Sequence, residues 1–311
     1  MIAFVFPGQG AQKVGMGRSL AETFPVCRET FAEADAALGE SLSTLCFEGP
    51  EDRLLLTENA QPAIVAMSTA VARLARSRGL HARFAAGHSL GEYSAHVAAG
   101  TLSFADALRT VRRRGQYMQA AVPVGEGAMA AILGLDADGV SRACAEAAEG
   151  QIVTPANLNA PGQIVIAGHA EAVARAGIRA RALGAKRVLP LAVSAPFHCP
   201  LMKPAQDRLA PDLRALSVTD PAFPVVANAD AQPKTTAAAS IEALVAQVSA
   251  PVLWEDVVKR LASEGARTFV ELGPGTVLAG LIRKIDRTLK VYSVEDAAGL
   301  EAAVEHMNGE P

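Results

Sequence analysis

Apolar positions along the chain alternate between two periods. Residues 2–6 (IAFVF) make a short, unbroken apolar run that predicts a buried strand, and comparable runs lie at 83–86, 223–227, 268–272 and 290–294. Between them, apolar residues recur every three or four positions, predicting helices over 26–38, 62–78, 90–99, 104–121, 241–248, 254–263 and 276–285. The 104–121 segment opens with Ser103 three residues before Asp106, a capping-box start. Strands alternating with helices predict an α/β fold with a largely parallel sheet. The stretch 128–193 has another order. Strand 128–134, helix 139–148, strands 151–156 and 163–167 around a 157–162 loop (NLNAPG), helix 171–183 and strand 187–193 give β-α-β-β-α-β, the ferredoxin-like pattern. The expected division is a large unit of residues 1–124 and 196–311 with an inserted ferredoxin-like unit, 125–195.

Composition narrows the class. Of 311 residues, 50% are hydrophobic and 20% charged, which suits a globular protein with a real core. The formal net charge of −3 leaves no footprint for bulk nucleic-acid binding. No apolar run approaches the roughly 18 residues of a membrane span. The first apolar stretch stops at Pro7 and follows no basic segment, so it reads as a strand rather than a signal peptide. Cys27, Cys46, Cys144 and Cys199 are scattered without a CxxC pair, which argues against a zinc site or a disulfide scaffold and predicts a reducing, cytoplasmic setting. Neither a P-loop nor a metal-ligand cluster is evident, so no cofactor is expected. The last residues, 308–311, are expected to fray.

The candidate chemistry begins at 87–91 (GHSLG), a GxSxG between a short apolar run and a helical pattern. That context suits a nucleophile elbow, in which flanking glycines allow a sharp turn that lifts Ser89 to a helix N-terminus beside the free N–H of Leu90. At an average glycine usage of about 7% the string alone arises by chance in about one such chain in ten, so a merely tight turn stays open. A serine nucleophile needs a base. His81 and His306 read as exposed, His169 lies in the small unit, and His88 and His96 sit on the turn or its helix. His198 lies where the inserted unit returns to the large one, facing a cleft between them. On the 104–121 helix, Phe104, Ala107, Leu108, Val111, Gly115 and Met118 form one stripe; Arg109 and Arg113 fall opposite, but Arg114 falls on its shoulder. No acid stands three or four residues away, so Arg114 meets either a distant carboxylate of the chain or that of a ligand.

Residues 6–10 (FPGQG) followed by Gly15-Met16-Gly17, then 87–93 (GHSLGEY), Arg114-Gly115 with Met118-Gln119, 157–168 (NLNAPGQIVIAG), 196–198 (PFH) and 271–275 (ELGPG) occur in one order over essentially the whole chain. This set resembles the malonyl-CoA:acyl carrier protein transacylases of type II fatty-acid synthesis and the acyltransferase domains of polyketide synthases. The resemblance implies an α/β-hydrolase-like catalytic unit with the ferredoxin-like insertion. It implies Ser89 as nucleophile, His198 as base and then acid, Arg114 as clamp on the malonyl carboxylate, and Gln9 with the Leu90 N–H as oxyanion hole. It further implies that the backbone carbonyl of Leu253, in 251–254 (PVLW), orients the histidine, that Phe197 leaves little room for an α-methyl group, and that Asn159 is a supporting residue. Malonyl-CoA is then a substrate, the partner is an acidic holo acyl carrier protein, and Lys186, Arg187, Arg283 and Lys284 are candidates for docking it. The default state is a monomer, with no nucleic-acid or membrane partner. A free-standing polyketide acyltransferase shares this chemistry. A serine thioesterase or hydrolase shares GxSxG but calls for an acidic third member and no carboxylate clamp.

Overall fold

The computed structural model describes residues 1–193 and 195–309, with side chains through residue 306. In chain order the strands among these are β1 Ile2–Phe6, β2 Phe84–Gly87, β3 Gly127–Leu133, β4 Val153–Ala160, β5 Gln163–His169, β6 Arg187–Pro190, β7 Val225–Val226, β8 Pro233–Lys234, β9 Thr268–Leu272 and β10 Lys290–Val294. Six form one sheet in the order β10-β9-β1-β2-β7-β8, parallel except for the β7–β8 pair. The other four form an antiparallel sheet in the order β4-β5-β3-β6, the order of a ferredoxin-like unit. The expected mixed α/β architecture is thus observed. Strands β1, β2 and β9 are almost wholly buried, as continuous apolar runs in a sheet covered on both faces must be.

Several bounds differ from the pattern reading. The helix expected from Pro62 begins at Thr57 and runs to Ser77 with Pro62 inside it. Nearly every residue from Thr57 to Ala75 is buried, and that packing outweighs the hydrogen bond which a proline forfeits. The 157–162 loop shrinks to a reversal at Pro161-Gly162, because β4 continues through two register shifts to Ala160. Its asparagines are not loop residues: Asn157 bridges in parallel to Val252, where Leu158 N–H donates to the Val252 carbonyl and Val252 N–H to that of Ala156. Strand 187–193 ends at Pro190, although the Leu191 N–H still donates to the Met129 carbonyl at 3.0 Å. The terminal helix reaches Gly309, one residue beyond the expected onset of fraying at 308; residues 310–311 lie outside the described ones. His306 is half-buried, not exposed, and stacks on Tyr292 at 4.9 Å between ring centroids. No helix among the described residues is long and apolar enough to cross a membrane.

His96, on the helix Gly91–Ala98, is fully buried and neither ring nitrogen has a hydrogen-bond partner among the described residues. Burial pushes its pKa down to about 3, so the folded chain holds it neutral. The unfolded chain protonates it near the ordinary value of about 6.5. Its contribution to stability is therefore complete above that pH and falls by about 1.4 kcal/mol for each unit below it, down to the folded value. His96→Leu is expected to flatten this limb. Thermal melts at pH 6.5 and pH 5 should show a smaller drop in Tm for the variant than for the parent chain.

Candidate active site

The helix Gly91–Ala98 starts directly after β2, and the turn between them admits nothing larger than hydrogen at two positions. A Cβ on Gly87 would stand 1.9 Å from the Gly91 carbonyl carbon, and one on Gly91 would stand 2.1 Å from the Phe6 carbonyl oxygen. Between them Ser89 is held at φ 51°, a left-handed conformation that costs a residue with a side chain and persists only where its surroundings impose it. Those surroundings centre on Asn228, fully buried after β7. Its Oδ1 accepts the Ser89 N–H at 2.6 Å, its Nδ2 donates to the Gly87 carbonyl at 2.7 Å, and its own N–H donates to Glu92 Oε2 at 2.9 Å. One side chain thereby ties both sides of the turn.

Ser89 Oγ lies 2.6 Å from His198 Nε2. His198 is 3% exposed and also sits at positive φ, 60°. Its Nδ1 lies 3.0 Å from the Gln247 carbonyl oxygen. A carbonyl can only accept, so Nδ1 carries the proton and Nε2 presents its lone pair to the serine hydroxyl. Gln247 is the last residue of the helix Ala237–Gln247, whose terminal carbonyls have no partner within the helix and carry its negative dipole end. That position suits an imidazole that must become cationic. Burial and the nearby Arg114 charge hold the His198 pKa down at about 3.

Arg114 is 2% exposed on the helix Phe104–Ala120. Nη1 donates to Gln61 Oε1 at 2.8 Å; Nη2 donates to Gln247 Oε1 at 3.1 Å and to Ser89 Oγ at 3.2 Å. Cζ stands 5.7 Å from the Tyr93 ring centroid. Among the described residues, no carboxylate of the chain forms an ion pair with it. Its fixed partners are neutral amide oxygens, an arrangement that orients a guanidinium without neutralising it.

A cavity of about 300 Å³ opens over these groups, lined by Gln9, Ser89, Leu90, Arg114, Phe197 and His198 among others. Gln9 is exposed and its Nε2 donates to Thr57 Oγ1 at 3.1 Å. The backbone N–H groups of Gln9 and Leu90 have no acceptor among the described residues, whereas that of Ser89 is taken by Asn228. Phe197 is half-buried in the cavity wall. A second cavity of about 610 Å³ shares Gln9, Leu55, Ala192 and Val193 with the first and is edged by the exposed side chains of Leu56 and Val124. No group of three or more His, Cys, Asp or Glu side chains among the described residues is placed to hold a metal ion.

One supporting expectation needs correction. Leu253 does not orient the histidine: its carbonyl accepts the Val257 N–H at the start of the helix Trp254–Ser263, and its N–H donates to the Asn228 carbonyl. The carbonyl that reaches His198 is that of Gln247, because the preceding helix ends there. Asn159 Oδ1 lies 2.8 Å from Nε2 of His88, the residue before Ser89. His88 in turn packs edge-on against Trp254 at 5.6 Å. The pattern reading passes over Gln61, Glu92, Asn228 and Gln247. Each is a polar residue in an apolar neighbourhood, the same signal that marks Arg114, and each is buried. The basic side chains of Lys186, Arg187, Arg283 and Lys284 are all exposed.

The chain matches the acyl transferase domain family over residues 3–303. It is 51% identical over 304 residues to the malonyl CoA-acyl carrier protein transacylase of Escherichia coli strain K12, covering 97% of this chain and 98% of that one. It is 49% identical over 310 residues to the protein of the same name from Bacillus subtilis strain 168, with 99% and 98% covered. Among solved structures it resembles an acyl carrier protein S-malonyltransferase from Vibrio cholerae, with a TM-score of 0.95, 47% identity, and 97% and 99% covered. It likewise resembles a malonyl-transacylase solved in complex with its type II PKS acyl-carrier protein, with a TM-score of 0.96, 50% identity, and 98% and 99% covered.

Proposed function

The chain belongs to the acyl transferase family, and on that premise we propose that it moves the malonyl group from malonyl-CoA to the phosphopantetheine thiol of an acyl carrier protein through a malonyl ester on Ser89. The observation that carries this reading is Arg114: a buried cation 3.2 Å from the Ser89 hydroxyl, held by amide oxygens and, among the described residues, in ion-pair contact with no carboxylate of the chain. A free carboxylate on the incoming acyl group supplies an anion in direct contact with the guanidinium. A monoacid offers it no such ion pair.

His198 Nε2 takes the Ser89 proton as Oγ attacks the thioester carbonyl. The developing oxyanion is received by the Leu90 and Gln9 N–H groups; one such donor supplies about 2.7–4 kcal/mol. His198, supported by the Gln247 carbonyl, returns the proton to the departing thiolate. The thiol of the carrier's arm, entering along the adjoining cavity edged by Leu56 and Val124, then attacks the ester and regenerates Ser89. Thioester, ester and thioester are close in energy, so the transfer needs no external drive. A backbone carbonyl in place of a triad carboxylate, together with the carboxylate clamp, favours transfer of a diacid over a simple hydrolase. Similarity to the partner of a PKS carrier supports a carrier of either pathway.

The strands of the antiparallel sheet all fall between residues 127 and 190, which supports reading 125–195 as the inserted unit and 1–124 with 196–311 as the catalytic one. The docking surface we assign spans both. Arg187 pairs with Leu133, Leu133 pairs with Gln163, and Lys284 Nζ donates to Gln163 Oε1 at 3.2 Å, so the two basic pairs converge at one end of the small sheet. Arg283 is partly committed there, donating to the Val291 carbonyl at 2.9 Å. Reversing Lys186, Arg187 and Lys284 to Glu is expected to raise KM for an acidic carrier protein by about tenfold at low salt. An unchanged KM would remove these residues from the interface.

The deciding experiment is mass spectrometry of the Ser89 peptide after brief exposure to malonyl-CoA and then to holo carrier protein. Malonate should appear on Ser89 and then leave for the carrier. Absence of the adduct, or its release only as free malonate, would overturn the proposal.

A further inference from the structure

Glu92 is a buried acid that the transfer just described does not use. It lies on the helix Gly91–Ala98, three residues beyond Ser89, and is 0% exposed. Its two oxygens differ. Oε2 accepts from the Asn228 N–H at 2.9 Å and from Gln247 Nε2 at 2.8 Å. Oε1 is buried and has no partner among the described residues. Among the described residues no cation touches Glu92; the positive charge acting on it is Arg114, which reaches the other end of the same Gln247 amide at 3.1 Å. The remaining charged or titratable groups acting on it are Asp230, after β7, and its neighbour Tyr93.

This arrangement has a consequence for charge. With the site empty, Arg114 and Glu92 balance one another across one amide. A substrate carboxylate seated on Arg114 leaves one buried cation facing two anions in a medium that screens poorly. We propose that Glu92 is the resident counter-ion of Arg114 and binds a proton on Oε1 when an acyl group bearing a carboxylate is loaded. The proton comes from solvent, no bond other than O–H forms, and Oε2 keeps both of its hydrogen bonds. Glu92 thereby holds the Gln247 amide with its oxygen toward Arg114 in both charge states, and the charge of the buried cluster does not change on loading. Burial already raises the Glu92 carboxyl to about 7; the hydrogen bonds from Asn228 and Gln247 oppose this, and the Arg114 charge opposes it to a smaller extent. Cancelling the Arg114 charge removes that opposition and raises it further.

The inference rests on the malonyl–Arg114 reading above, and its test separates the two. The enzyme is mixed at about pH 8 with malonyl-CoA, and separately with acetyl-CoA, in weak buffer containing a pH indicator, and ester on Ser89 is quantified by mass in the same samples. Malonyl loading should take up as much as about one proton per ester beyond acetyl loading, and Glu92→Gln should abolish that excess. The Gln substitution keeps an acceptor for Asn228 and Gln247 while removing the titrating group. Ester without excess uptake, or excess uptake that persists in the variant and so belongs to His198, would overturn the inference. Absence of ester would instead overturn the transfer reading itself. Where the variant does not fold, the parent chain loaded with carbon-13 malonate serves. Its infrared difference spectrum should gain a protonated-carboxyl band that the label does not shift, and lack of that band counts against Glu92.

Discussion

Ser89→Ala is expected to give no covalent malonyl adduct and to reduce carrier-dependent transfer by about six orders of magnitude, to the background of uncatalysed exchange. The size follows from the arrangement. Both His198 and Arg114 reach this hydroxyl, so its loss strands them together. His198→Ala should cost about 10²–10⁴, the usual worth of a positioned base, because the oxyanion donors and the clamp survive. The two variants should not add: in Ser89→Ala, His198→Ala should have no further effect. Rapid-quench measurement of ester formation checks both.

Arg114→Ala carries the second large effect, and its sign depends on the acyl group. For malonyl-CoA, kcat/KM should fall by about 10²–10³, since a buried charge-assisted pair lost on one side costs about 2–5 kcal/mol. For acetyl-CoA it should hold or rise, because a buried cation without an ion-pair contact no longer lies beside a methyl group. Unequal change for the two substrates is what distinguishes a clamp from a packing residue. Equal loss for both would mean that Arg114 serves the fold through Gln61 and Gln247 and does not read the substrate.

What could be read from the residues, and what could not, follows their physics. Strands β1, β9 and β10 and the helix Trp254–Ser263 appear at their expected bounds because buried runs and a strong apolar stripe leave no competing arrangement. The helix Lys203–Arg214 is hidden by Pro204 and Pro211, which punctuate it like a loop. The short helices Arg18–Thr23 and Glu51–Leu55 span too few turns to show a period. In the site, Arg114 stands out because a charge on an apolar shoulder is anomalous. The orienter of His198 does not, because a main-chain carbonyl has no residue signature; only the place where the helix Ala237–Gln247 ends decides which one is used. Asn228 shows locally as a polar residue among apolar ones, but its partners lie about 140 positions earlier in the chain, so the pattern marks the residue and not its role.

The parallel bridge from β4 to the 251–253 segment also leads to the serine turn. Leu158 and Ala156 hold Val252 from one side, while Leu253 holds the Asn228 carbonyl on the other, so both sheets share a hydrogen-bonded seam that runs to the serine turn. The same Asn228 whose carbonyl takes the Leu253 N–H ties the serine turn through its side chain, so the seam and the turn meet at one residue. The cavity wall that includes Leu191 and Val193 carries none of these seam bonds.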